Sequence, residues 1–292
     1  MGHVFRFVGR RRRAHWAEGW PHLGLRRPAD GQPGAVLWKG RAVAPLLSAG
    51  AFAERVGAEV VIVGSGPSLR GQRIEAVPAG AAILLNGALS LTPRLGGALA
   101  CAIADEGFVW PHRELLREHL PRVGMWMMSP GALRATLSRD IDLFDALRGD
   151  GRGVVLIDNL SRPWRGRYCW PNDVAGPHIL RDGRAAVSID PDRGVTEGFT
   201  VASAAMQFAL YARPALIGLA GIDISNAREP RIYDTKVPQL TGLPDEEPGI
   251  VAHFALALAE AERRGIRVEC YSPVSALLPL CPYSDRLERA PQ

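Results

Sequence analysis

Seven short apolar runs along one stretch of the chain constrain its fold more than any other feature. They are EVVIVG (59–64), AAILLN (81–86), ALACAIAD (98–105), VGMWMMS (123–129), GVVLIDN (153–159), PALIGLAGID (214–223) and IRVECYSP (266–273). Each is nearly continuous in apolar residues and most end on a polar one. Strands buried on both faces of a parallel sheet read this way, whereas half-exposed antiparallel strands alternate. Between them lie helical patterns, most clearly FTVASAAMQFALYA (199–212) and IVAHFALALAEAERRG (250–265), the second closed by Gly265 as its C′ residue. The alternation predicts an α/β fold: a doubly wound, mainly parallel, Rossmann-like sheet with helices on both faces, forming a single nucleotide-binding domain.

The 292 residues suffice for one large domain or two small ones. Residues 1–55 are rich in Pro, Gly and Arg and read as a basic, irregular N-terminal extension. Residues 56–280 form the domain, and 281–292 a polar, frayed tail. Within the domain, 225–249 carries Pro230, Pro238, Pro244 and Pro248 with little periodicity, and reads as a lid loop. No apolar run approaches the roughly 20 residues of a membrane span, and the first residues lack the apolar core of a signal peptide. A cytoplasmic protein is therefore expected. Four cysteines without a Cys-x-x-Cys pair read as reduced and mostly buried.

The net charge of +5 is unevenly spread. Arg10 to Arg13 stand among Phe5, Phe7, Trp16 and Trp20. Basic residues beside aromatics suit an anionic membrane surface, peripheral at the inner membrane. A solvated, frayed terminus accounts for the same residues, and so would a nucleic-acid arm, although no nucleic-acid partner is expected.

Parallel sheets bind ligands beyond the C-terminal ends of their strands. Those ends here carry Gly64-Ser65-Gly66-Pro67-Ser68, then Asn86, Asp105-Glu106, Ser129, Asp158-Asn159, Asp223 and Ser272. In VVIVGSGPSLRG, two glycines admit close backbone approach, two serines add hydroxyls, and turn amides offer donors to an anion. A Walker loop would need a lysine that is absent. The dinucleotide fingerprint would need a glycine where Leu69 stands, and Pro67 interrupts it, so no nicotinamide or flavin cofactor is expected. G-x-G-P-S remains as a turn suited to a nucleoside monophosphate or its sugar conjugate. Asp140-Ile141-Asp142 and Asp190-Pro191-Asp192 have the Asp-x-Asp spacing of metal-dependent sugar transferases. The first precedes a helical pattern and suits capping, and no metal is expected. Arg231, Tyr233 and Lys236 could stabilise a departing phosphate. His253, opening a helix, is the candidate general base, with His178 and His112 as alternatives.

VVIVGSGPSLRG, ILLNGALSL, LIGLAGIDIS…IYDTK and, after a helix, IRVECYSPVSALL occur in an order and spacing that resemble the bacterial sialyltransferases of glycosyltransferase family 42 and related lipopolysaccharide-core sugar transferases. The similarity covers about 60–280. It implies a metal-independent, inverting transfer of a 2-keto-3-deoxy acid sugar, sialic acid or 3-deoxy-manno-octulosonic acid, from its CMP conjugate. The acceptor would be a lipopolysaccharide or surface glycan, lipid-linked or an oligosaccharide. The family's CMP contacts fall on Gly64, Ser65, Gly66, Pro67, Ser68 and Asn86, and its third-strand asparagine is replaced by Asp105. Its strand-then-Gly-Ile-Asp stretch matches Gly221-Ile222-Asp223, and its last-strand segment ends at Ser272. RGVTEGFTVASAAM, with Thr196, resembles the segment that contacts the acid sugar. The family's two phosphate-stabilising tyrosines fall at Ser225 and near Arg231 or Tyr233. Its histidine, counted back from Ser272, falls near Pro248, five residues before His253. Two alternatives stay open: a pterin pyrophosphokinase-like enzyme, which would require magnesium carboxylates, and an inactive transferase fold serving as a binding module.

Overall fold

Valine, isoleucine and leucine stack densely in the apolar runs, and all seven runs form strands. The computed structural model describes residues 22–29, 34–149, 151–162, 169, 173–224, 232–233 and 243–288. In chain order the elements are β1 (Leu23–Arg26), β2 (Gly34–Trp38), β3 (Arg41–Leu47), α1 (Ala49–Ala53), β4 (Glu59–Val63), β5 (Ala82–Leu85), β6 (Ala98–Ile103), α2 (Glu106–Val109), α3 (Arg113–His119), β7 (Val123–Met128), α4 (Pro130–Arg139), β8 (Gly153–Leu156), β9 (Ile179–Asp182), β10 (Ala185–Ser188), α5 (Val201–Ala212), β11 (Leu216–Ala220), α6 (Leu243–Arg263) and β12 (Arg267–Cys270).

Ten strands form one sheet in the order β1-β2-β3-β8-β7-β6-β5-β4-β11-β12, and β9 and β10 form a separate hairpin. Every neighbouring pair from β3 to β12 is parallel. Alternate residues of each central strand feed opposite cores. Val61, Val63, Trp126 and Met128 pack with Leu89, Leu133 and Phe144 on one face. Val60, Ile62, Met125 and Met127 pack with Phe52, Phe208 and Phe254 on the other. This is the doubly wound α/β arrangement expected of the sequence. Each fully buried aliphatic side chain adds about 1.5–3 kcal/mol.

Thr200 caps α5, its hydroxyl accepting from the Ala202 amide at 3.4 Å. Gly265, at φ +70°, ends α6 as the sequence implies. That helix begins at Leu243, earlier than the 250 read from its periodicity, so 243–249 of the expected lid loop is helical and Pro248 lies within the helix. Pro248 stands in the second turn, where its missing amide forgoes one ladder bond, and prolines in such positions read as helix breakers in sequence. The rest of the expected lid, apart from Ile232 and Tyr233, lies outside the described residues, as does the arm containing Arg10 to Arg13.

Two further segments differ from expectation. Residues 23–47, read as irregular, form β1–β3, an antiparallel meander that extends the sheet from β8. Pro45, a register shift between Val36 and Leu37, and a largely exposed face on β3 hide its periodicity. Residues 281–288 dock instead of fraying: the Cys270 amide donates to the Pro282 carbonyl at 2.9 Å, Arg73 to Leu287 at 2.7 Å, and Arg286 pairs with Glu59 at 2.6 Å. The four cysteines are free thiols, with Cys101, Cys270 and Cys281 buried. No helix among the described residues is long and apolar enough to cross a membrane.

Gly218 of β11 faces Tyr271, whose Cε2 would lie 2.4 Å from an added Cβ. Gly218→Ala should cost about 1–3 kcal/mol by overpacking, measured by urea denaturation. Unchanged stability would show that the Tyr271 ring can move freely aside.

Candidate functional site

Successive strands from β4 to β8 are laid down on one side of β4, whereas β11 and β12 lie on the other. Winding therefore reverses between β4 and β11. A crevice opens at the C-terminal ends of such a pair, because the connections leave in opposite directions. The Gly64–Ser68 turn leaves β4 at this point, and Gly221–Asp223 leaves β11 beside it.

The two exits are tied together by Asp223, which is 3% exposed. Its Oδ2 accepts from the Ser68 amide at 3.0 Å, and its Oδ1 accepts from the hydroxyls of Ser68 and Ser272, each at 2.6 Å. One carboxylate thus joins the ends of β4, β11 and β12. Hydrogen bonds to an ionised acceptor are about twice as strong as neutral ones. Gly64 and Gly66 serve the same junction. A Cβ on Gly66 would lie 2.3 Å from Asp223 Oδ2, and one on Gly64 would lie 2.3 Å from the Gly221 carbonyl. Their amides donate to the carbonyls of Ala220 (2.8 Å, from Gly64) and Gly221 (3.0 Å, from Gly66). The close backbone approach read from the sequence is therefore made to the neighbouring strand exit. The amides of Gly64, Gly66, Ser68 and Leu69 all donate within the chain.

Beside this junction, at the end of β5, Asn86 adopts a left-handed φ of +49°. Its Oδ1 is buried without a hydrogen-bond partner among the described residues. Tyr233 lies flat over the next residue: a Cβ on Gly87 would be 1.9 Å from its Cε1. Its ring meets His112 edge-on at 5.4 Å, and His112 stacks on Phe108 at 4.3 Å. The Ile232 amide donates to the Ser65 carbonyl at 3.3 Å, so residues 232–233 pass directly over the crevice. Arg231, grouped with Tyr233 in the sequence reading, lies outside the described residues, as do Ser225 and Lys236.

Along the same edge, Val195 pairs with the end of β8 through Asp158 and Leu160, and the chain continues to the α5 N-terminus. Thr196 is buried there, bonding the Ala186 carbonyl and Gln207, and Glu197 meets Arg162 at 3.5 Å. His253 packs beneath Gly198, where an added Cβ would lie 2.8 Å from its Cγ. The imidazole is 1% exposed, and neither ring nitrogen has a hydrogen-bond partner among the described residues. Burial pushes its pKa down to about 4, against a smaller opposing pull from nearby main-chain groups of Ser203 and Ala186.

Other strand-end polar residues are engaged locally. Asp105 caps α2 through the Gly107 amide at 2.8 Å, and Ser129 caps α4. Asp158 binds Arg27. Asp192 accepts from the Ala49 amide at 2.8 Å, and Asp190 pairs with Arg193 at 3.2 Å, so both have structural partners. His178 lies beside the β9–β10 hairpin, its imidazole nitrogens buried without partners among the described residues. A groove of about 480 Å³ along the β12 edge, lined in part by Leu258, Ile266 and Leu280, brings no polar cluster together.

Backbone strain marks the crevice in a way the sequence does not announce. Asn86 (φ +49°), Ile224 (+59°) and Phe199 (+61°) are non-glycine residues in the left-handed region, and all three lie on the C-terminal edge. For a β-branched or aromatic residue this costs about 1–2 kcal/mol, and such outliers gather at functional sites.

The sequence matches no protein-family model, and a search of curated proteins returned no match. Among solved structures it is similar to the sialyltransferase CstII from Campylobacter jejuni in complex with the substrate analogue CMP-3FNeuAc. The TM-score is 0.41 and the identity 16%, over 80% of this chain and 89% of that one. A variant of Cst-II in complex with CMP gives 0.41 and 15% over the same shares. The fold class rests on the strand order itself and not on likenesses this distant.

Because His253 is neutral when folded and titrates near 6.5 when exposed, the unfolded chain binds the extra proton between those pH values. Its contribution to stability is full above about pH 6.5 and should decline by up to about 3 kcal/mol as pH falls towards 4. The stability difference between wild type and His253→Met, followed by urea denaturation, should shift by that amount in favour of the variant. A difference independent of pH would contradict the burial of a neutral ring.

Proposed function

We propose that the chain is a glycosyltransferase that moves a 2-keto-3-deoxy acid sugar, sialic acid or 3-deoxy-manno-octulosonic acid, from its CMP conjugate to a hydroxyl of a lipopolysaccharide or other surface glycan. The observation that carries this reading is Asn86: a strained residue with an orphaned buried amide oxygen, set beside the strand-order reversal. An amide offers both an acceptor and donors, the combination that a cytosine edge or ribose hydroxyl requires. The four-segment resemblance to family 42 supports the same donor. The engaged amides of the glycine turn direct recognition towards side chains and away from a backbone phosphate cradle.

In this reading the acceptor oxygen attacks the anomeric carbon as the bond from that carbon to the phosphate oxygen breaks, with inversion. The phosphate of CMP leaves with the bonding electrons, and the acceptor proton passes to a histidine. Tyr233, already over the crevice, donates to the departing phosphate. His253 takes the proton, which requires the Gly198 corner to move aside from a ring now sealed. No metal enters the reaction. A basic aromatic arm, Met1 to Trp20, holds the enzyme near a lipid-linked acceptor at an anionic inner-membrane surface.

Hydrolysis of CMP-sialic acid, and separately of CMP-3-deoxy-manno-octulosonic acid, should proceed in excess EDTA. His253→Ala should lower kcat for transfer by roughly 10²–10⁴ with little change in CMP affinity. Activity lost to EDTA and restored by magnesium would overturn the metal-free reading and favour a pyrophosphokinase-like one. A folded His253→Ala protein with normal kcat would end the assignment of His253 as the base and redirect attention to His178.

A further inference from the structure

Cys270 closes β12, and the chain returns to it after one turn. The Cys270 amide donates to the Pro282 carbonyl and its carbonyl accepts from the Ser284 amide, each at 2.9 Å, so residues 282–284 run parallel to the strand end. Cys270 is bridged to Tyr283. Cys281, two residues before Tyr283, therefore turns to the same face of the sheet as Cys270. Both thiols sit in one core with Ile266, Val268 and Leu277, and they are hydrogen-bonded to each other.

The two thiols are not equivalent. Hydrogen bonds, led by the one from the Cys281 thiol, draw the Cys270 thiol down to about 7 against the cost of burial. The same bond and burial push the Cys281 thiol up. Cys101 in β6 is pushed up by burial alone. The pair thus sets a nucleophilic thiolate against a protonated thiol. Cys270 is 0% exposed and Cys281 5%, and Cys281 lines the groove of about 480 Å³ along the β12 edge. Such burial shuts out a bulky disulfide reagent, whereas hydrogen peroxide, scarcely larger than water, can enter past Cys281.

We propose that Cys270 and Cys281 form a dithiol oxidised reversibly by hydrogen peroxide. The Cys270 thiolate attacks one peroxide oxygen, the O–O bond breaks, and the departing hydroxide takes up a proton to leave as water. Cys270 is then a sulfenic acid. Cys281 attacks that sulfur and gives up its thiol proton, and the sulfenic hydroxyl leaves with it as a second water. Two thiols and one peroxide give one disulfide and two waters. The new bond closes the turn that carries Ser272 and Ser275, whose hydroxyls hold the Asp223 carboxylate and the Ile222 carbonyl. Oxidation thereby fastens the β12 corner of the crevice covalently. The dithiol is independent of the CMP-sugar reading.

Its test needs no substrate. Full-length wild type, Cys281→Ser and Cys270→Ser are treated with hydrogen peroxide at neutral pH, alkylated, digested and mapped by mass spectrometry. Wild type should give a Cys270–Cys281 cross-linked peptide, reversed by dithiothreitol and formed more than about tenfold faster than Cys101 is oxidised. Cys281→Ser should stop at a sulfenic acid on Cys270 that dimedone captures, and Cys270→Ser should leave Cys281 reduced over the same time. The wild-type map decides even where a serine variant lowers Tm. Oxidation of Cys169 with Cys270 and Cys281 left as thiols would overturn the proposal. So would a cross-link that forms as fast in urea-unfolded chain as in folded protein, because the fold would then contribute nothing to it.

Discussion

The Asp223 carboxylate is the interaction on which the rest of the site depends. Beyond the main-chain bonds from Gly64 to Ala220 and from Gly66 to Gly221, the exits of β4, β11 and β12 are joined through a side-chain connection. Asp223 supplies that connection, binding Ser68 through amide and hydroxyl and Ser272 through its hydroxyl. Gly64 and Gly66 allow it by leaving no Cβ between the exits. Around it, Ser275 donates to the Ile222 carbonyl at 2.6 Å and the Ala276 amide to the Asp223 carbonyl at 3.2 Å. The chain after β12 is thereby fastened to the same corner. Removing the carboxylate would leave several buried donors unsatisfied, at about 1–3 kcal/mol each.

This junction has a chemical consequence. A glycine turn with free amides would form a cradle for phosphate, but here the amides of Gly64, Gly66, Ser68 and Leu69 hold the turn to itself and to β11. In the proposed reading, recognition falls to groups at the rim: Asn86 and the Tyr233 ring with His112. Tyr233 resting on Gly87 also means that a ligand reaching Asn86 must share or displace that ring's position.

The central sheet was legible because seven strands buried on two faces cannot avoid continuous apolar runs, and α5 and α6 carry strong periodicity. The β1–β3 meander was not, since one side of β3 faces solvent and Pro45 interrupts its pattern. The Gly64–Ser68 turn, Asp223 and Ser272 could be named as strand-end candidates, yet their union could not. Ser68 and Asp223 are 155 residues apart, Asp223 and Ser272 49 apart, and only the strand order brings them together. The glycines were recognisable as a tight turn, but sequence cannot say whether a ligand or another backbone fills the space beside them. Positive φ at Phe199 and Ile224 has no local signature either, because neither residue type favours it. Burial of His253 was foreshadowed by its apolar helix face in IVAHFALALAEAERRG.

The central claim is that the crevice between β4 and β11 receives the nucleotide of a CMP-sugar. It is tested most directly by titrating the full-length protein with CMP, CDP, UDP, GDP and ATP in the absence of metal, with NMR of the selectively labelled Asn86 side-chain amide as the readout. The account predicts a saturable shift of the Asn86 amide with CMP, and little or none with UDP, GDP or ATP. An Asn86 amide unmoved by CMP, or moved equally by every nucleotide, would contradict it.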